Sequence, residues 1–129
     1  VEPYNEALGE NIYLNMINKA KDEVLIFTPY LIITSELITA LTLSARSGVK
    51  VTVVTPGIAD KWYVHTLTRS YYLQLIQAGV EIYEYTPGFV HGKVVIADGE
   101  LASVGTINFD YRSLYLHFEC GAYCACLRR

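Results

Sequence analysis

The sequence contains no run of about 18 or more apolar residues, the length a helix needs to cross a bilayer, so it predicts no membrane span. No signal peptide stands at its start. Basic clusters are also missing: the ten Lys and Arg residues are scattered, the formal net charge is -3 and the pI is about 5.5. A domain that grips nucleic acid by its phosphates carries a basic patch, so the composition argues against a nucleic-acid partner. Cysteine is scarce. Cys120, Cys124 and Cys126 occupy alternate positions, would share one face of a strand, and could not easily pair along it. Adding His117 gives a spacing outside the usual zinc patterns. The expectation is buried, reduced thiols, with no metal and no cofactor. Low-complexity stretches, charge blocks and internal repeats are absent.

What is present is a chain of 129 residues, 52% hydrophobic, which excludes disorder as its main state. Its length suits a single domain over residues 1–129. Eleven tyrosines stand out; they fill a core and cleft, or they meet a membrane, partner or ligand. Because it begins at Val1, the chain is expected to be a piece of a longer protein.

Periodicity predicts alternating helices and strands. Ile12, Met16, Ile17 and Ala20 recur at helical spacing within Gly9 to Asp22. Glu23 to Thr28 is a strand ended by Pro29. Ser35 is the expected N-cap of a helix carrying Leu37, Ile38, Leu41 and Ala45, stopped at Gly48. Strand Val49 to Val54, a long helix from near Asp60 to Ala78, and strand Val80 to Tyr85 follow. Lys93 to Ala97 and Leu101 to Gly105 form a hairpin about Asp98-Gly99, and a last strand lies within Leu116 to Cys126. This order predicts an α/β fold: a mixed sheet, parallel first and antiparallel later, with helices on both faces.

The chemistry concentrates after the Pro87-Gly88 loop. His91 and Lys93 are two apart on an expected strand, so imidazole and ammonium project together. Asp98 sits at the turn, and Gly105, Thr106 and Asn108 end the returning strand. Taken singly, each has an ordinary reading: a surface or core histidine, a solvated lysine, an aspartate that only makes a turn. Together they spell His-x-Lys-(x)4-Asp-(x)6-Gly-Thr-x-Asn, a pattern expected by chance on the order of once in 10⁷ to 10⁸ start positions. Attack on a phosphodiester adds negative charge to its oxygens; Lys93 answers with positive charge, Thr106 and Asn108 with hydrogen-bond donors. An unprotonated His91 can attack phosphorus. Gly105 permits close approach of backbone or substrate. Asp98 serves either catalysis or the turn.

This pattern resembles the HKD signature of the phospholipase D superfamily. Ile82 to Cys120 looks like the second such motif of bacterial cardiolipin synthases, and Gly9 to Ile32 and Thr68 to Tyr85 look like that family's carboxy-terminal half. The resemblance implies a phospholipase D-like domain with one HKD motif, drawn from an enzyme whose two motifs meet at one site. One histidine would carry the phosphatidyl group; the other would protonate the leaving alcohol and activate the incoming one. It implies phosphatidylglycerol as substrate, no cofactor, a partner half or second copy, and the cytoplasmic face of the membrane for the full-length protein. Glu119 lies where superfamily members often place a carboxylate that orients a histidine; it is otherwise a surface residue of the last strand. Arg112 would touch phosphate or pair with Asp110. The likeness also suggests that the region of Trp62, His65, Arg69, Tyr71 and Tyr72 borders the cleft. The rival readings are a homodimeric nuclease or phosphodiesterase of the same superfamily and a non-catalytic lipid-binding half-domain. With one HKD histidine, the isolated chain is expected to be inactive as a monomer.

Overall fold

The computed structural model describes residues 8–58, 61–106, 109–110 and 120–125. Helix α1 (Leu8–Lys19) leads into strand β1 (Glu23–Phe27), short strand β2 (Leu31–Ile32) and helix α2 (Ser35–Arg46). Strand β3 (Lys50–Pro56), helices α3 (Trp62–Ser70) and α4 (Tyr72–Gln77) and strand β4 (Glu81–Tyr85) follow. Strands β5 (Val94–Ala97), β6 (Leu101–Gly105), β7 (Phe109–Asp110) and β8 (Gly121–Ala125) complete the order.

Six strands form one sheet in the order β4-β3-β1-β5-β6-β8, while β2 and β7 form a separate parallel pair. The β4, β3 and β1 strands run parallel; β1–β5, β5–β6 and β6–β8 are antiparallel. The mixed sheet is therefore as the sequence predicts. Its register puts Val24, Ile26, Val51, Val53, Val95 and Ala97 on one face, all buried. The α1 residues Tyr13, Met16 and Ile17, the α2 residues Leu37, Ala40 and Leu41, and Leu75 of α4 join them in one core. Each such large side chain contributes roughly 1.5–3 kcal/mol by leaving water.

Several boundaries differ from expectation. The N-cap of α2 is Thr34, not Ser35: its extended backbone turns the hydroxyl back to accept from the Leu37 amide. That same hydroxyl donates to buried Glu10, tying α2 to α1. Gly48, with φ of 100°, ends α2 as predicted; the left-handed turn lets the Val49 amide reach back to the Ser44 carbonyl. The single long helix is instead two, broken at Tyr71, whose amide bonds the Thr68 carbonyl three residues back. The break lets the Tyr72 hydroxyl meet buried Thr55 at 2.6 Å while Leu75 enters the core. Cys120 and Cys124 are exposed, not buried: Cys124 lies on β8, exposed at all five positions at the edge of the described sheet, and Cys120 just precedes it. Cys126 lies outside the described residues.

Candidate active site

His91 and Lys93 come from the segment just before β5, which begins at Val94 rather than at Lys93. They converge nonetheless. The Lys93 ammonium lies 3.0 Å from His91 Nδ1, 3.3 Å from Nε2 and 2.9 Å from the His91 carbonyl oxygen. An ammonium only donates, so Lys93 places a positive charge directly against the imidazole. His91 is exposed, and Lys93 is half-buried. The Phe89 ring lies beside the imidazole, tilted, with centroids 5.8 Å apart.

The hairpin returns Gly105 to Lys93: the Gly105 amide donates to the Lys93 carbonyl at 3.2 Å. The close approach that requires glycine here is to backbone. A Cβ on Gly105 would stand 2.4 Å from the Cys120 carbonyl oxygen and 2.5 Å from Gly121 Cα. Thr106 extends this contact. Its amide donates to the Cys120 carbonyl at 2.8 Å, and its hydroxyl donates to that oxygen at 3.2 Å while accepting from the Cys120 amide at 2.9 Å. The Thr106 hydroxyl thus fastens β6 to β8, a use that its expected role as a phosphate donor did not foresee.

Asp98 is not brought to this site. It occupies the opposite end of β5, at the hairpin turn, with φ of 54°. Its carboxylate accepts from the Lys21, Asp22 and Glu23 amides at 2.8 to 3.2 Å. Burial pushes this carboxyl up, but the amides of Glu23, Asp22 and Lys21 outweigh it and hold it below the usual range. These contacts anchor the start of β1 to the hairpin. Asn108, Arg112, His117 and Glu119 lie outside the described residues. Phe109, the neighbour of Asn108, is buried and fixed from three sides. It stacks on Tyr13 at 4.5 Å, pairs with Leu31 across β2 and β7, and donates its amide to the buried Thr28 hydroxyl at 3.2 Å.

The family model described as "Cardiolipin synthase, PLD-like domain" matches residues 13–125. The chain belongs to this family. A cardiolipin synthase of Halalkalibacterium halodurans is 41% identical over 116 residues, covering 90% of this chain and 23% of that protein. One of Geobacillus thermodenitrificans is 44% identical over 114 residues, 88% of this chain and 23% of that protein. The chain therefore spans about a quarter of the length of these members of the family. Among solved structures, the phospholipase D family member Nuc of Salmonella typhimurium superposes with a TM-score of 0.80 at 17% identity. That superposition covers 98% of this chain and 80% of Nuc. The phosphatidylserine synthase of Haemophilus influenzae superposes at 0.70 and 15% identity, over 92% of this chain and 32% of that one. The α/β sheet is thus that of the phospholipase D fold.

A second cleft feature lies in the region of His65, which the sequence likeness placed at the cleft border. Beyond the ends of β1 and β3, Tyr30, Ile58, Lys61, His65, Thr68 and Phe89 line a pocket. Only the fold shows that α3 turns Lys61 and His65 toward the same wall, Phe89, that faces His91.

Proposed function

We propose that this domain supplies one of two catalytic histidines to an enzyme that makes cardiolipin from two molecules of phosphatidylglycerol. In the first half-reaction one histidine attacks phosphorus, a P–N bond forms, and the P–O bond to glycerol breaks. The other histidine gives its proton to the departing glycerol oxygen. In the second, that neutral histidine takes a proton from the hydroxyl of an acceptor phosphatidylglycerol, whose oxygen attacks phosphorus and releases the first histidine. His91 is one member of this pair. Lys93 neutralises charge on the phosphoryl oxygens, assisted by Asn108 and by Thr106 if its hydroxyl exchanges Cys120 for substrate. Glu119 is assigned the orienting of a histidine, and no metal or cofactor enters.

The observation that carries this reading is the Lys93 ammonium held within hydrogen-bond distance of an exposed His91 ring at the sheet end. A phosphate entering there meets a charge and a nucleophile together. The names of the similar proteins favour a phospholipid as the source of that phosphate. They also favour the membrane surface as the workplace of the full-length protein. No described helix is long and apolar enough to cross a membrane.

The partner histidine comes from the other half of the same protein or from a second copy. The likeness to Nuc, of which this chain covers 80%, keeps the homodimeric phosphodiesterase in play as a second reading. The full-length protein, given phosphatidylglycerol in one assay and DNA in another, should release glycerol and form cardiolipin while leaving DNA intact. DNA cleavage without cardiolipin would reverse the choice. The isolated chain, held monomeric by dilution, should turn over neither.

A further inference from the structure

We propose that the pocket between α3 and Phe89 is a second anion site, which seats the phosphate of the acceptor phospholipid. This rests on the phosphatidyl-transfer reading. Joining two phosphatidylglycerol molecules brings two phosphodiester anions together. His91 and Lys93 serve the phosphorus that reacts. The acceptor's own phosphate also has to sit close by, repelled by the first, unless positive charge meets it.

The pocket has the right chemistry for that task. Lys61 and His65 are one helical turn apart and both line it, and the His65 amide bonds the Lys61 carbonyl at 3.1 Å. Among the described residues, none that lines it is acidic. Glu84 is held by Arg69 through two bonds of 2.8 and 2.7 Å, which keep its carboxyl below the usual range. Lys61, the N-cap of α3, thus brings its charge to the pocket, with the His65 ring beside it. Pro29 and Pro56 set its floor at the ends of adjacent parallel strands, where open α/β sheets receive ligands.

The two places are adjacent. Phe89 is a shared wall, lining the pocket and lying 5.8 Å from the His91 ring. From phosphorus to the terminal hydroxyl of a glycerol headgroup is roughly 6 Å, a few bonds of about 1.5 Å each. In this placement a phosphate held by Lys61 and His65 directs that hydroxyl past Phe89 toward the phosphorus at His91. Ile58, Trp62 and Tyr63 stand exposed around α3, Trp62 to 77%, and offer apolar surface to the acceptor's chains.

The test uses the full-length protein and three acceptors: phosphatidylglycerol, glycerol 1-phosphate and isotopically labelled glycerol. The last exchanges into phosphatidylglycerol by the same donor chemistry but brings no phosphate. The double variant Lys61→Ala/His65→Ala should lower kcat/KM at least about tenfold for both phosphate-bearing acceptors. Labelled-glycerol exchange should stay within twofold of wild type, and Lys61→Arg should retain most cardiolipin synthesis. Equal loss for all three acceptors, or no loss for any, would overturn the site. A loss confined to the lipid acceptor would reassign the pocket from phosphate to acyl chain and overturn it too. Wild-type protein that forms no cardiolipin would remove the transfer reading itself, an outcome separate from an active wild type with an unaffected double variant.

Discussion

The two ends of strand β5 carry the two parts of one sequence motif. At the end that opens toward solvent, the His91 ring and the Lys93 ammonium contact each other, with exposed surface around them. At the far end, roughly 13 Å along four strand residues, the Asp98 carboxylate is spent on three consecutive backbone amides. The first end leaves its polar groups where a substrate can exchange for them. The second uses its polar group to close a gap between the hairpin and β1. Residues that recur together in a linear pattern need not meet in space: one end gathers His91 and Lys93, and the other fixes the strand that follows them.

This contrast can be broken at either end, and the largest effect belongs to the chemical one. In the full-length protein, His91→Ala should lower phosphatidyl transfer by at least about 10³-fold, with a thermal midpoint close to wild type because the ring is exposed. Retained turnover measured by glycerol release would remove His91 from the mechanism. Lys93→Met keeps the aliphatic stem and removes the charge; kcat should fall about 10² to 10³-fold, or ~3–4 kcal/mol in the transition state. A change confined to KM would make Lys93 a binding residue only.

Architectural effects should appear as stability. Gly105→Ala forces a Cβ against the Cys120–Gly121 backbone, which cannot move aside as a side chain would. It should cost about 2–4 kcal/mol in urea unfolding and free β8 to hydrogen exchange. Asp98→Ala strands three amides that water can partly satisfy, and should cost about 1–2 kcal/mol at pH 7. The pH dependence has a definite sign. The folded carboxyl is held below its unfolded value near 3.9, so its contribution is complete above about pH 4 and fades as pH falls through the folded value. The gap between wild type and Asp98→Ala should therefore narrow in acid. A gap that widens below pH 4 would contradict the amide-cage account.

Much of this was legible in the sequence because burial leaves a strong signature. The apolar run Glu23 to Thr28, the β-branched run Val49 to Val54 and the helical spacing of Met16 and Ile17 each face a core, and each element lies within one or two residues of where its pattern put it. The Asp98-Gly99 turn marked the hairpin. The two-residue strands β2 and β7 left no such trace, since a ladder of two pairs is too short for a periodicity. The break at Tyr71 was hidden because no glycine or proline makes it; it comes from Tyr72 seeking Thr55 across the fold. At the site, the sequence brought His91 and Lys93 together correctly, although through a strand that starts one residue later. It could not separate Asp98 from them. The three amides that hold this carboxylate lie some 75 positions upstream, beyond the reach of any local pattern. The same holds for Lys61 and His65, whose common wall with His91 exists only in the folded chain.

The contrast between the two ends of β5 is tested most directly by one paired measurement on the full-length protein: cardiolipin formed per folded molecule in Asp98→Asn beside His91→Asn. Each replacement is close in size to the residue it replaces, and the fraction folded is read from the same samples. The account predicts that Asp98→Asn turns over within about threefold of wild type once its lower stability is normalised out, whereas His91→Asn is folded and inactive. A fully folded Asp98→Asn protein that is as inactive as His91→Asn would contradict it.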